Sequence, residues 1–443
     1  MIHEFRNRDG TISEKTAKYY ANILAYAEKY DLRNTRIALD LAVELHDGQF
    51  RDGGAPYIIH PLEATHYLIL LGIWHPIFEM HLFNLHDEKL AQEYSHIDLD
   101  NLLSAELLHD VCEDCSSKLP KNGDEFVTEY QLNPDILSLV RCLSKDKTTP
   151  GYTIDGYFEK IGKSWQTALM KTADRLSNCS TIDAFNTKRM EKYIRENVNY
   201  FYPMLSHSKE AFCEFSQIFT IMKYLIVSIS ETIASLLGLE ELIKRNSYTN
   251  AYYFIKGVAV SKKMVNTQKA LPLAAKYYDG LQRKSGDPLI LHPLRVCSYL
   301  LSLNISNDEM CAAAILHEII NRCNLPCNGV EILTKYHLNP KVLDYIRLLA
   351  NSEHYPLETY YSALIEYPEV LLLKLSNRAH TCTTLINSST EEIKKYVDEC
   401  ESFLYPLCEY GMKHYPQYSN QIQLMYYHIS SICNIVKHLK LYS

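Results

Sequence analysis

The decapeptide AELLHDVCED (residues 105–114) has an echo further along the chain, AAILHEIINR (313–322). On a helical wheel advancing about 100° per residue, His109, Glu113, Asp110 and Asp114 fall at about 0°, 40°, 100° and 140°. Cys112 and Cys115 fall at about 300° and 240°. The acidic face and the C-x-x-C pair are therefore expected to point apart. The two thiols read as small buried residues rather than as a zinc or redox pair.

The echo extends outward in both directions. HDGQFRDGGAPYIIHPL (46–62) returns as YDGLQRKSGDPLILHPL (278–294), and QLNPDILSLVRCLS (131–144) as HLNPKVLDYIRLLA (337–350). ALMKTADRLSNCSTI (168–182) returns as LLLKLSNRAHTCTTL (371–385). A repeat on this scale predicts two similar units. Projecting the chain end back by the repeat offset puts the boundary near 240, giving domains 1–240 and 241–443. The first copy carries an insert at about 74–97. In TRIALDLAVELHDG (35–48) the apolar residues follow the i, i+3, i+4 rule, and Gly48 punctuates the end. Alternating strand patterns are absent and Gly and Pro are scarce, at 15 and 16 residues. The expectation is an all-α chain of two tandem helical bundles, the second a degenerate copy.

A net charge of −8 spread along 443 residues argues against a general nucleic-acid binder. The segment YLIVSISETIASLLGL (224–239) is short for a membrane span and contains Glu231, so a buried helix and no membrane partner are expected. The N-terminal stretch lacks the apolar run of a secretory signal, which makes the 13 cysteines reduced thiols and the expected location cytoplasmic.

The ordered set HDGQFRDGGAPYIIHPL, LLHDVCED and LMKTADRLSNCSTI resembles the hydrolase domain of RelA/SpoT-type alarmone enzymes, a branch of the HD phosphohydrolases. The small alarmone hydrolases are the closest comparison, and the resemblance spans roughly residues 35 to 205. It implies a divalent cation, usually Mn²⁺ with Fe²⁺ or Zn²⁺ possible, held by His60, His109, Asp110 and Asp174. It implies that Glu113 and Asp114 orient and deprotonate the attacking water. The implied activity is hydrolysis of the 3′-pyrophosphate of ppGpp or pppGpp to GDP or GTP and pyrophosphate. Arg51 and Asn178 match family residues that meet the base and ribose, and Tyr57 is a further candidate for the pocket wall. Lys145 and Lys147 read as a solvated loop. One departure stands out: the family has Arg-Lys in the loop where this chain has Arg51-Asp52. That opens alternatives: an adenine alarmone, NADPH, a cyclic nucleotide or a nucleoside monophosphate as substrate, or a non-catalytic nucleotide-binding regulator.

In the second copy the matching positions are His292, His317, Glu318, Asn321, Arg322 and Asn377. Four carboxylates become one and Arg322 adds a positive charge, so this copy is expected to have lost its metal and its catalysis. Its loop retains Arg283 and Lys284, which makes a second nucleotide site conceivable. The family's synthetase domain has no counterpart, because the second copy occupies its place. A homo-oligomer is compatible with the sequence.

Overall fold

The computed structural model describes residues 4–72, 98–119, 124–145, 150–239, 248–323, 335–350, 356–385 and 388–441. The insert at 74–97 and Lys147 lie outside these residues. Among them the chain is all-α: helices joined by turns, with only three isolated β-bridges. It divides into two compact units, Met1–Ile226 and Val227–Ser443. The division falls inside the helix Ser216–Leu236 rather than at 240. Within the second unit, Ser228 Oγ lies 2.6 Å from His428 Nε2, which ties the end of that helix to its own unit. This helix is also the one element among the described residues long and apolar enough to cross a membrane by length and composition, and 67% of its most apolar window is buried.

In the first unit the helix Arg33–Leu45 packs against Leu99–Leu107, and Ile59–Gly72 packs against Trp165–Ser180. The first pair is locked by a single carboxylate. Asp100 accepts from the backbone N–H groups of Asn34 and Thr35 at 2.8 and 2.7 Å, and from Thr35 Oγ1 at 2.7 Å. These are donors of a helix's first turn, which have no intrahelical acceptor. A neighbouring helix thus caps this one. Asp308 does the same for Asn266 and Thr267 in the second unit, at 2.8 and 2.7 Å.

Two further local features recur at paired positions. Each unit has a tight loop closed by a β-bridge, Phe50–Pro56 and Gln282–Pro288. Gly54 and Gly286 sit in these loops at φ +86° and +82°, where a side chain would strain the backbone. Each unit also has a π-helical turn, Asn197–Phe201 and Cys400–Leu404, shortly before Pro203 and Pro406. A proline has no N–H for the ladder, and the widened turn absorbs the gap. Immediately before each π turn a glutamate pairs with an arginine, Glu196 with the buried Arg175 and Glu399 with the half-buried Arg378.

The stretch 105–114 is not one helix. The chain leaves the helix at Leu107, turns through Leu108–Asp110, and resumes as a short helix, Val111–Asp114. The single wheel is corrected on this point.

Replacing Asp100 with alanine removes the acceptor of two backbone and two side-chain donors at a helix start and should destabilise the protein by about 2 kcal/mol. Urea unfolding of D100A measures this; a midpoint equal to wild type would mean that water replaces the carboxylate without cost.

Candidate metal centre

Four side chains from three segments meet inside the first unit. His60 comes from the first turn of the helix Ile59–Gly72, His109 and Asp110 from the interhelical turn, and Asp174 from the middle of Trp165–Ser180. His60 Nε2 lies 3.2 Å from Asp174 Oδ1 and 3.5 Å from Asp110 Oδ2. His109 Nε2 lies 3.2 Å from Asp110 Oδ1 and 3.8 Å from Asp174 Oδ1. His60, His109 and Asp174 are buried.

The hydrogen bonds behind the histidines decide what their inner nitrogens present. His109 Nδ1 is 2.7 Å from the Glu106 carbonyl, which can only accept, so Nδ1 carries the hydrogen. His109 Nε2 is then a lone pair, buried and without a hydrogen-bond partner among the described residues. His60 Nδ1 lies 2.9 Å from Ser177 Oγ. Ser177 gives its one hydrogen to Glu63 Oε2 at 2.9 Å, so it accepts from His60. His60 Nε2 is therefore also a lone pair. Glu63 is held in turn by Lys15 and Tyr19, both at 3.0 Å, and by Ser180 at 2.7 Å. Burial alone would raise the Glu63 carboxyl, but Lys15 and the hydroxyl donors outweigh it and hold it below its ordinary range.

Two imidazole lone pairs thus face two carboxylates. The same shortage of positive charge continues outward, where the single Tyr57 hydroxyl hydrogen lies between Asp110 Oδ2 at 2.9 Å and Asp114 Oδ2 at 2.5 Å. Without a metal a proton is the substitute: burial opposes charging His109, yet Asp110, Glu106 and Asp174 raise its pKa to about 9. Below it, burial pushes the Glu106 carboxyl up to about 8, and neither of its oxygens has a hydrogen-bond partner among the described residues. His60, His109 and Asp110 can hold a metal ion, and Asp174 Oδ1 faces both histidines.

Asp174 is itself tethered. Lys171 Nζ donates to Oδ2 and Asn178 Nδ2 to Oδ1, both at 2.6 Å. Asn178 Oδ1 accepts from Arg51 Nη2 at 2.9 Å, and the Arg51 guanidinium lies 5.6 Å from the Tyr57 ring centre. The structure brings Arg51, Tyr57 and Asn178 together at the rim of the cluster. Glu113 and Asp114 are exposed beside it, and Glu113 Oε1 accepts from the Lys145 backbone N–H at 2.5 Å. The Lys145 amine is not a freely solvated loop group: burial, with Lys171 next, lowers its pKa to about 8, and it sits 3.5 Å from Glu196. The supporting residues Ser177, Glu63 and Glu106 went unnoticed in the sequence. Their one signal is that each is a polar residue at a buried position of its own helix.

Cys115 points away, its thiol 3.4 Å from the Leu45 carbonyl and from His46 Nδ1. The metal-capable clusters among the described residues contain no cysteine. Asp52 is likewise turned aside and pairs with Arg189. In the second unit Lys284 pairs with Glu392 at 2.6 Å, at the positions aligned with Asp52 and Arg189. The two loops carry the same ion pair with its charges exchanged.

The second unit also assembles donors: His292, His317 and Glu318 form a second metal-capable group. Asn377 replaces Asp174, and its Oδ1 accepts from Thr381 Oγ1 at 3.1 Å. Lys374, the counterpart of Lys171, lies 4.6 Å from the Tyr360 ring centre, and burial holds its amine well below its ordinary range.

No protein-family model matches the chain. Over 187 residues it is 26% identical to a guanosine-3′,5′-bis(diphosphate) 3′-pyrophosphohydrolase of Borreliella burgdorferi, covering 40% of this chain and 23% of the relative. A protein of the same name from Spiroplasma citri is 26% identical over 195 residues, 42% of this chain and 23% of its own. A probable GTP pyrophosphokinase of Mycobacterium leprae is 25% identical over 185 residues, 41% of this chain and 20% of its own. The chain spans between a fifth and a quarter of the length of these curated relatives.

Ser177→Ala removes the acceptor that fixes the His60 tautomer. Divalent-cation affinity in calorimetric titration should fall roughly tenfold or more while the thermal unfolding profile stays cooperative. Unchanged affinity would show that His60 is oriented without Ser177.

Proposed function

We propose that the first unit is a metal-dependent 3′-pyrophosphohydrolase of guanosine alarmones, converting ppGpp or pppGpp and water to GDP or GTP and pyrophosphate. The observation that carries this reading is the convergence of two imidazole lone pairs and two carboxylates beside the exposed acids Glu113 and Asp114. The names of the distant relatives support an enzyme of alarmone metabolism. Among them are both hydrolases and pyrophosphokinases, and the exposed pair Glu113 and Asp114 beside the metal-capable cluster favours hydrolysis here.

His60, His109, Asp110 and Asp174 would hold the cation. A set of two nitrogen and two oxygen donors suits Mn²⁺, with Fe²⁺ or Zn²⁺ compatible. When bound there, the ion supplies acidification of water and neutralisation of charge on the phosphoryl oxygens. Glu113 and Asp114 take the proton from the attacking water, and the Tyr57 hydroxyl fixes the direction in which Asp114 points. Arg51, whose planar guanidinium is oriented by its hydrogen bonds to Asn178 and Thr181, would offer a face to a base. Lys145, half-buried and 3.5 Å from Glu196, is a cation beside the exposed Glu113 that could meet a phosphate group. The exposed Asp52 pairs with Arg189, so its charge is not free to repel the substrate. The second unit, with Asn321 and Arg322 in place of the paired acids, does not hydrolyse.

Incubation with Mn²⁺ and a panel of ppGpp, adenine alarmones, cyclic nucleotides and NADPH should release pyrophosphate from ppGpp alone. Inorganic phosphate as product, or preferred turnover of another nucleotide, would overturn the substrate assignment. Glu113→Gln should lower kcat by about 100-fold or more while metal content stays unchanged. Loss of metal in E113Q would instead make Glu113 a ligand.

A further inference from the structure

The second unit is expected from its sequence to have lost its cation site, because three of four carboxylates are gone and an arginine has arrived. The geometry points elsewhere. His292 Nε2 and His317 Nε2 are 3.2 Å apart, and Glu318 Oε1 is 3.8 Å from each. A point equidistant from three atoms with those separations is about 2.1 Å from every one of them. That is the length of a zinc–imidazole or zinc–carboxylate bond. The three atoms are already spaced to share one ion.

The outer partners prepare the same donors. His317 Nδ1 is 2.8 Å from the Ala314 carbonyl, so it carries the hydrogen and leaves Nε2 as a lone pair. His292 Nδ1 is 2.8 Å from His380 Nδ1; in the tautomer that donates there, His292 Nε2 is a lone pair as well, and a metal then takes the place of its 3.2 Å hydrogen bond with His317 Nε2. His380 thus stands where Ser177 stands in the first unit. Arg322 is less hostile than its charge suggests. It is 61% exposed and holds Glu318 Oε2 at 3.3 Å, leaving Oε1 turned to the histidines. Three protein donors leave at least one coordination position open. Arg283 Nη1 is buried and has no acceptor among the described residues. A guanidinium N–H in that state calls for an anion.

We propose that the second unit binds a divalent ion of the zinc class through His292, His317 and Glu318, and that an anionic phosphate group completes the site against Arg283. Two nitrogens and one oxygen favour Zn²⁺ or Co²⁺ over Mn²⁺, unlike the more oxygen-rich first site. The charges of Arg283 and Arg322 make binding of the ion and the phosphate mutually dependent. With Arg322 aligned to Asp114, the site holds its phosphate ligand without activating water against it. This site does not depend on the activity proposed for the first unit.

The test uses the full chain carrying Asp110→Asn and Asp174→Asn, stripped with chelator and titrated with Co²⁺. The expected result is one equivalent with a visible d–d band, weakened roughly tenfold or more by Glu318→Gln and unaffected by Lys284→Ala. Glu318 is partly exposed, so E318Q should fold, and circular dichroism checks this. Adding inorganic pyrophosphate should shift the band, and Arg283→Ala should abolish that shift. If no Co²⁺ binds, or E318Q binds as tightly as its parent, the three imidazoles are a hydrogen-bonded stack and the metal site is wrong. If pyrophosphate leaves the band unchanged, the phosphate assignment is wrong.

Discussion

Lone pairs of like polarity do not gather in a buried space unless something positive sits between them. In the first unit the Nδ1 hydrogens of His60 and His109 are committed outward, to Ser177 and to the Glu106 carbonyl. Both Nε2 atoms are left facing Asp110 and Asp174. Much of the surrounding structure maintains this arrangement. Glu63 is buried to hold Ser177, and Lys15, Tyr19 and Ser180 are placed to hold Glu63. Lys171 and Asn178 tether Asp174, and Asn178 passes the constraint to Arg51 at the rim. The paired imidazole lone pairs and the rim geometry belong to one hydrogen-bond network.

The turn at Leu108–Asp110 shapes that network as much as any helix does. A continuous helix commits each backbone carbonyl to the N–H four residues on. By leaving the helix at Leu107, the chain lets the Glu106 carbonyl accept from the His109 ring, which sets the tautomer. Asp110 then begins a new short helix that carries Glu113 and Asp114 to the surface. The same turn separates the acids from Cys115, which packs against Leu45 and His46. The wheel assigned the thiols to the other side for a geometric reason that holds only approximately, since the segment is two helices.

The exchanged ion pairs show how a substitution that looks functional can be structural. Asp52 in place of a basic residue suggests a changed substrate when only the loop is considered. Its partner Arg189 comes from another helix, and the aligned pair in the second unit is Lys284 with Glu392. Exposed pairs of this kind contribute little stability, of order 0–1 kcal/mol, and either polarity serves to tether the loop to the helix.

The sequence alone determined the helical class, through apolar spacing and the scarcity of breakers, and it marked His60, His109, Asp110 and Asp174 by their motif context. These are local signals: periodicity lies within one helix, and each motif within one segment. What only the tertiary structure decided are the relations between segments. Ser177 and Glu63 as the support of His60, Asp100 as the cap of another helix, and the Asp52–Arg189 pair join residues far apart in the chain. The three-donor cluster of the second unit belongs with them. Counting carboxylates suggested a lost site, because composition records how many donors remain and says nothing of the distances between them.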